Sequence, residues 1–341
     1  MKPTKTRSRA TGRVTLADVA ALAKVSPITV SRALRGERAV ASDLTDRVKA
    51  AALKLGYTPD PAARALASRH SDHVAVLIPM LSNNLFVDVL ESIQKTLRQA
   101  GYQTLIGITH YDTREEEQLL REQLQHRPAG ILVTGLDRSD AARELIEKSG
   151  IPCVHMMELA QSPDVNSVGF SQTQAAITLT EHLLQHGRQR IAFAAAQLDP
   201  RTMQRLDGWR KTLKAAKLYD KALSYTNKSP SSMALGGEML QHIMTQDPSI
   251  DAIFFCNDDL AQGALLAAQR LKIKVPQQLA IAGFNDLTGS DLVGPGLTTI
   301  RTPRAAIGQA AAQMLLALMR DEEVAAPSVD VGYELMVRGS T

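Results

Sequence analysis

The chain has 341 residues, 44% hydrophobic, with two cysteines and an uneven charge: residues 1–70 carry 14 basic and 5 acidic side chains, a net of +9, against −5 for the rest. This describes an ordinary globular protein of two or three domains and excludes a disordered or disulfide-stapled chain. No run approaches ~18 apolar residues and no apolar signal core follows the basic N-terminus, so a cytoplasmic protein with free Cys153 and Cys256 and no membrane partner is expected.

In "TLADVAALAKV", Thr15 and Asp18 are spaced as a capping box, and Leu16, Val19, Ala20 and Ala23 recur at helical intervals. The short "KVS" leads to "SPITVSRALRG", where Ser26 can cap, Pro27 suits the first position and Gly36 can close the end. Val30, Ala33 and Leu34 then gather on one side, leaving Ile28, Thr29, Arg32 and Arg35 outward. Two helices joined this tightly form a helix-turn-helix pattern. A third, "SDLTDRVKAAALKLG", starts at Ser42, stops at Gly56 and brings Leu44, Val48 and Leu55 to a small three-helix core. These helices occupy the basic end, the footprint of a nucleic-acid binder.

The next stretch, "YTPDPAARALASRHSD", reads as a linker: a helix from Pro61 to Ser68 is too short to stand alone in water. From His73 the chain alternates strand and helix. "HVAVLIP", "YQTLIGIT", "AGILVTG" and "IPCVHMM" read as one series of strands, and "VNSVGF", "RIAFAAAQ", "DAIFFCN" and "LAIAGF" as a second. The alternation predicts two doubly wound parallel-sheet subdomains, with a ligand cleft at the carboxyl ends of their strands.

"VTLADVAALAKVSPITVSRALRG", "LGYTPDPAARALAS", "CNDDLAQGAL", "IAGFNDL" and "LTTIRTPR" together resemble the lactose/galactose repressor (LacI) family of bacterial transcription regulators, over nearly the whole chain. The resemblance implies an all-α helix-turn-helix head (1–58), a hinge (59–72) and an α/β periplasmic-binding-protein-like body (73–341). Within the body it implies one subdomain from about 73–170 and 300–325 and another from about 171–299 and 326–341, in a homodimer on palindromic double-stranded operator DNA. Pro27, Ile28 and Thr29 would meet base edges and Ser31 and Arg32 base or phosphate, with Thr15 and Ser26 completing the DNA-binding set. Many relatives carry a polar residue where Ile28 stands. Leu66 matches the hinge leucine that would wedge between base pairs in the minor groove, with Pro61 a departure that shortens the hinge helix.

For the effector, strand-end positions single out Ser82, Asn83, Arg201, Arg205, Asn257 and Asn285, with Glu158 a further cleft candidate. Arg205 matches the family's ligand-holding arginine, and Arg201, a helical turn earlier, would add a second guanidinium suited to a carboxylate or phosphate. Asn285 stands where many sugar-binding relatives have an acid, which lowers repulsion toward an anion. "LDPRT", "CNDDLA" and "AIAGF" resemble the gluconate-type repressors, so the expected effector is a sugar acid, gluconate or 2-ketogluconate, free or phosphorylated, with a neutral sugar or purine as the alternative. The resemblance implies that ligand weakens DNA binding by shifting populations between two arrangements.

A sugar-acid-binding protein or an enzyme on a Rossmann-like body is the rival reading. Phosphate-loop, dinucleotide, zinc-protease and nucleophile-elbow motifs are missing, and His182 and His186 lack a third ligand, so no enzyme, cofactor or metal is expected.

Overall fold

The computed structural model describes residues 14–34, 40–58, 71–81 and 84–341. They fall into two units divided after residue 70. The sequence-based expectations for Arg35, Gly36, Pro61, Leu66, Ser82 and Asn83 lie outside the described residues.

The first unit holds α1 (Leu16–Ala23), α2 (Pro27–Leu34) and α3 (Ser42–Leu55). The capping box at Thr15 is reciprocal: its Oγ1 accepts from the Asp18 N–H at 3.4 Å while Asp18 Oδ2 accepts from the Thr15 N–H at 2.8 Å. Those bonds from Thr15 hold the Asp18 carboxyl below its usual range. Ser26 Oγ caps α2 by accepting from the Thr29 N–H at 3.1 Å. Lys24 ends α1 and Gly56 ends α3, both in the left-handed region at φ +52° and +64°. Val19, Val30 and Val48 meet at the centre, ringed by the small Ala20, Ala23, Ala33, Ala51 and Ala52, which lets three short helices pack at close range.

In the second unit, strands β1 (His73–Ile78), β2 (Gln103–Ile108), β3 (Gly130–Thr134), β4 (Cys153–Met156), β5 (Ser167–Gly169) and β11 (Ser328–Asp330) form one sheet in the order β11-β5-β4-β3-β1-β2, parallel throughout. The second sheet runs β12-β10-β9-β8-β6-β7, from β6 (Ile191–Ala195), β7 (Ser224–Thr226), β8 (Ala252–Phe255), β9 (Ala280–Asn285), β10 (Thr298–Arg301) and an antiparallel edge strand β12 (Glu334–Met336). β3, β6, β8 and β9 are buried along their whole length, which is why they read as unbroken apolar runs rather than alternating ones. Val76 sits opposite both Ile106 and Leu132, and Phe254 opposite Phe193 and Ala282.

Helices cover these sheets: α4 (Asn84–Gln99), α5 (Thr113–Gln125) and α6 (Asp140–Ser149) around the first, and α7 (Gln172–Gln185), α8 (Pro200–Ala215), α9 (Met233–Gln246) and α10 (Asp258–Arg270) around the second. The last, α11 (Arg304–Leu318), packs against α4. Three placements differ from the sequence reading. "VNSVGF" supplies β5 to the first sheet, because its three residues pair alongside β4. Thr298–Arg301, near the expected boundary at 300, belongs to the second sheet through β9. The return to the first half runs past 325, because β11 pairs with β5 at Ser328–Asp330.

α9 and α10 cross with backbone almost touching backbone. A Cβ on Gly236 would overlap the Leu260 carbonyl, and one on Gly263 the Met233 carbonyl. Backbone cannot step aside as a flexible side chain can, so Gly263→Ala should destabilise the second unit by about 2 kcal/mol or more. The midpoint of urea unfolding of the body checks this; an unchanged midpoint would show that the helices separate freely.

Candidate functional site

On the head, Ile28 is 66% exposed, and Ser26, Pro27 and Arg32 also face outward. Thr29 and Ser31 are half-buried beside them, and Thr15 is half-buried at the start of α1. Thr29 Oγ1 lies 2.8 Å from Ser26 Oγ, so these two hydroxyls orient one another at the end of α2. Helix N-terminal N–H groups, two hydroxyls, an exposed isoleucine and an arginine one turn later make a surface able to meet phosphates and base edges.

In the body, the carboxyl ends of the strands converge on two arginines of α8. Arg205 is 5% exposed. Its Nε donates to Gln172 Oε1 at 2.9 Å and its Nη1 to the Cys256 carbonyl at 2.6 Å, and its guanidinium stacks 3.8 Å from the centre of the Phe284 ring. Burial lowers its pKa, although a guanidinium keeps its proton, and among the described residues no carboxylate lies within 4 Å of it.

Arg201 has the opposite environment. Asp199 stands 3.3 Å away on its own side of the cleft, and Glu158 and Asp137 approach from the first half at 3.6 and 3.8 Å. Burial works against its charge, but Asp199 and Glu158, with Tyr111 and Asp137, outweigh it and hold the proton more firmly than usual. Its Nη1 is nevertheless buried without a hydrogen-bond acceptor among the described residues, the carboxylates lying too far for one. Gly135, at φ +77°, makes room: a Cβ there would sit 2.5 Å from Arg201 Nη1. The expected pair of guanidiniums therefore does not act as two equal positive charges.

Asn257 is the N-cap of α10. Its Oδ1 accepts from the Leu260 N–H at 3.1 Å and its Nδ2 donates to Ser231 Oγ at 2.7 Å, so both polar atoms are already engaged. Asn285 ends β9 at φ +113°, 2% exposed, with Oδ1 accepting from Thr302 Oγ1 at 3.0 Å. The neighbouring acids are structural: buried Asp258 accepts from Thr299, Ser290 and the Leu287 N–H, and burial pushes it up to about 6. Glu158 accepts from the Leu136 N–H at 3.0 Å and from Gln204 at 2.5 Å, which fixes it across the cleft. Tyr111, Asp137 and Gln172 belong to the same site and were not singled out from the sequence. Tyr111 and Asp137 follow directly on β2 and β3, where the strand-end rule points.

Known proteins place this architecture. Residues 15–60 match the family model described as bacterial regulatory proteins, lacI family, and residues 180–341 the periplasmic binding protein-like domain. The HTH-type transcriptional regulator GntR of Pseudomonas aeruginosa is 53% identical over 334 residues, covering 98% of this chain and 97% of that one. The chain belongs to the LacI family. The solved structure of the transcription regulator GntR from Chromobacterium violaceum is 48% identical, with TM-score 0.77, over 79% of this chain and 98% of that one. The lac repressor dimer bound to operator and the anti-inducer ONPF is 25% identical, with TM-score 0.85, over 96% and 99%. A LacI-family chain of this kind is a DNA-binding transcriptional regulator; the relatives named here are regulators and not enzymes. Among the described residues no helix is long and apolar enough to cross a membrane, and no cluster of His, Cys, Asp or Glu is arranged for a metal ion.

Behind the cleft, Arg138 ties three elements together. Its Nε pairs with Glu116 Oε1 of α5 at 2.8 Å, its Nη1 lies 2.7 Å from His155 Nδ1 of β4, and both Nη atoms donate to the Gly135 carbonyl at 3.2 Å. Burial, then the adjacent guanidinium, push the imidazole down to about 4. The fold thus binds fewer protons at His155 than the unfolded chain, whose imidazole titrates near its ordinary 6.5. The resulting stability is complete above that value and is lost as pH falls through the folded one. His155→Gln should remove about 3 kcal/mol of the stability lost between neutral pH and pH 4, read from urea midpoints across that range. Identical pH profiles would mean that the ring is already protonated in the fold.

Proposed function

We propose that the chain represses genes of sugar-acid catabolism and that a sugar acid of the gluconate type, bound between the two halves of the body, releases it from a palindromic operator. Arg205 carries this reading: it is a buried cation at the cleft with no carboxylate in reach among the described residues, held in place and still able to donate. An entering carboxylate would complete it by a charge-assisted bond. Asp137 and Glu158, drawn toward Arg201, offer acceptors for the hydroxyls of a polyol chain. The GntR relatives and the gluconate-type segments support the same ligand class. The proposed DNA contacts are Pro27, Ile28 and Thr29 to base edges and Ser31 and Arg32 to base or phosphate, with Thr15 and Ser26 at the helix starts and Leu66 in the hinge.

The working unit we propose is a homodimer in the cytoplasm. Exposed Leu266, Leu271 and Leu292 of the second half are apolar side chains that a second copy would cover, and Gln269 Nε2 on the same helix donates to the Gly294 carbonyl at 3.1 Å, fixing α10 to the loop that carries Leu292. The lac repressor structure, a dimer on its operator, supports that assembly.

Melting the full chain against gluconate, 2-ketogluconate, their phosphates, neutral sugars and purines tests the effector. Binding at a hundred times Kd adds about 2.7 kcal/mol of stability, so one acid should raise the melting temperature. Arg205→Ala should weaken that ligand by about 2–5 kcal/mol while leaving the head's DNA binding intact. A rise with a neutral sugar or purine alone would overturn the sugar-acid reading. On the DNA side, Arg32→Ala should cost about 1–3 kcal/mol on a selected operator and less on random duplex. Equal loss on both, with a shallower salt dependence, would move Arg32 from base reading to phosphate contact.

A further inference from the structure

Arg304 opens α11 where the chain passes from the second sheet back toward the first half. Its Nε pairs with Asp88 Oδ2 of α4 at 2.7 Å. Its Nη1 donates to two successive carbonyls of the second half, Asn285 at 2.9 Å and Asp286 at 3.0 Å. One planar fork therefore spans the crossover between the halves.

Those two carbonyls belong to a strained corner. Asn285 and Asp286 have φ of +113° and +51°, and neither is a glycine. Such a corner persists only where its surroundings over-determine it. Thr302 Oγ1 donates to the Asn285 side chain, and Arg301 and Arg338 grip the Asp286 carboxylate at 2.8 and 2.7 Å. On the other side Arg304 is joined to a rigid pair: Ser92 Oγ donates to the Ala305 carbonyl at 2.7 Å, and a Cβ on Gly308 would fall 2.5 Å from the Val89 carbonyl. A shift of the Asn285 corner can be absorbed by neither partner and must stretch or re-form the bonds of Arg304.

We infer that Arg304 is the positioning residue that couples the Asn285 corner of the ligand cleft to α4 of the first half, so that occupancy of the cleft is read out as a movement of that helix. The inference rests on the effector meeting the Asn285 end of β9; it does not depend on the effector being an acid. Lysine could not replace the arginine, because a single ammonium nitrogen cannot hold Asp88 and the two carbonyls from two separate donor atoms at the fixed spacing of Nε and Nη1.

The test uses the full chain and a DNA palindrome selected from random duplexes, and has two arms. In the first, operator Kd is measured for wild type, Asp88→Asn, Asn285→Ala and the double variant, without ligand. The expected result is non-additivity of at least about threefold that vanishes when the same cycle is repeated in Arg304→Ala. Additive changes with Arg304 in place would overturn the inference. In the second arm gluconate is the probe: Arg304→Ala should bind it within about threefold of wild type yet lose most of the roughly 5- to 150-fold change in operator affinity expected of such coupling. Arg304→Lys should recover the melting temperature without recovering the coupling, an outcome a merely structural role would not give. Full coupling in Arg304→Ala would overturn the inference. A wild type that ignores gluconate would remove that one acid as the effector, leave the wider sugar-acid reading to the melting comparison, and leave the ligand-free cycle to decide this inference.

Discussion

A guanidinium taken out of water has to be met by acceptors, and the cleft is arranged around two that are met in different ways. Arg205 has a side-chain amide, a carbonyl and an aromatic face; Arg201 has three carboxylates at distances that neutralise its charge without satisfying every N–H. The first arrangement leaves positive charge to spare, and the second leaves acceptors to spare. The supporting parts follow from this: Gly135 makes space, Arg138 fixes the loop that carries Asp137, and Gln172 ties Arg205 to the Met157 carbonyl. The position of these groups at strand ends reflects sheets buried on both faces, which leave only their edges for polar chemistry.

The head depends on a different constraint. Among the described residues its core has eight buried hydrophobic side chains, five of them alanine, so it is small, and the helix ends contribute a large share of what defines it. The hydroxyls of Thr15, Ser26 and Thr29 serve those ends while lying at the surface that would face DNA. On the proposed DNA contacts, capping and reading would use the same few side chains, so substitutions there would change stability and recognition together.

Much of this was legible in the sequence, where local chemistry decides the outcome. The capping box at Thr15, the stop at Gly56 and the apolar runs of β1, β3, β8 and β9 each announce themselves within a dozen residues. What was not legible depends on partners far along the chain. β5, β11 and β12 have three residues each, too few to show a period, and the side on which each pairs is set by neighbours up to 161 positions away. The two arginines of α8 look equivalent as letters; the approach of Asp137 and Glu158 from the first half, which separates them, is not visible there. The bond from the Asn257 amide to Ser231, 26 positions earlier, was likewise invisible in the sequence.

The interleaved strand order also bears on how the protein is made. The first sheet takes its edge strand from Ser328–Asp330 and is covered by α11, so a nascent chain that has left the ribosome only as far as Gly169 lacks both. Its unpaired β5 edge and the apolar face of α4 stay open while roughly half the sequence is still being synthesised, a window in which strand edges are prone to wrong pairing. Both sheets therefore take strands from residues 298–336, so neither half is complete without that segment.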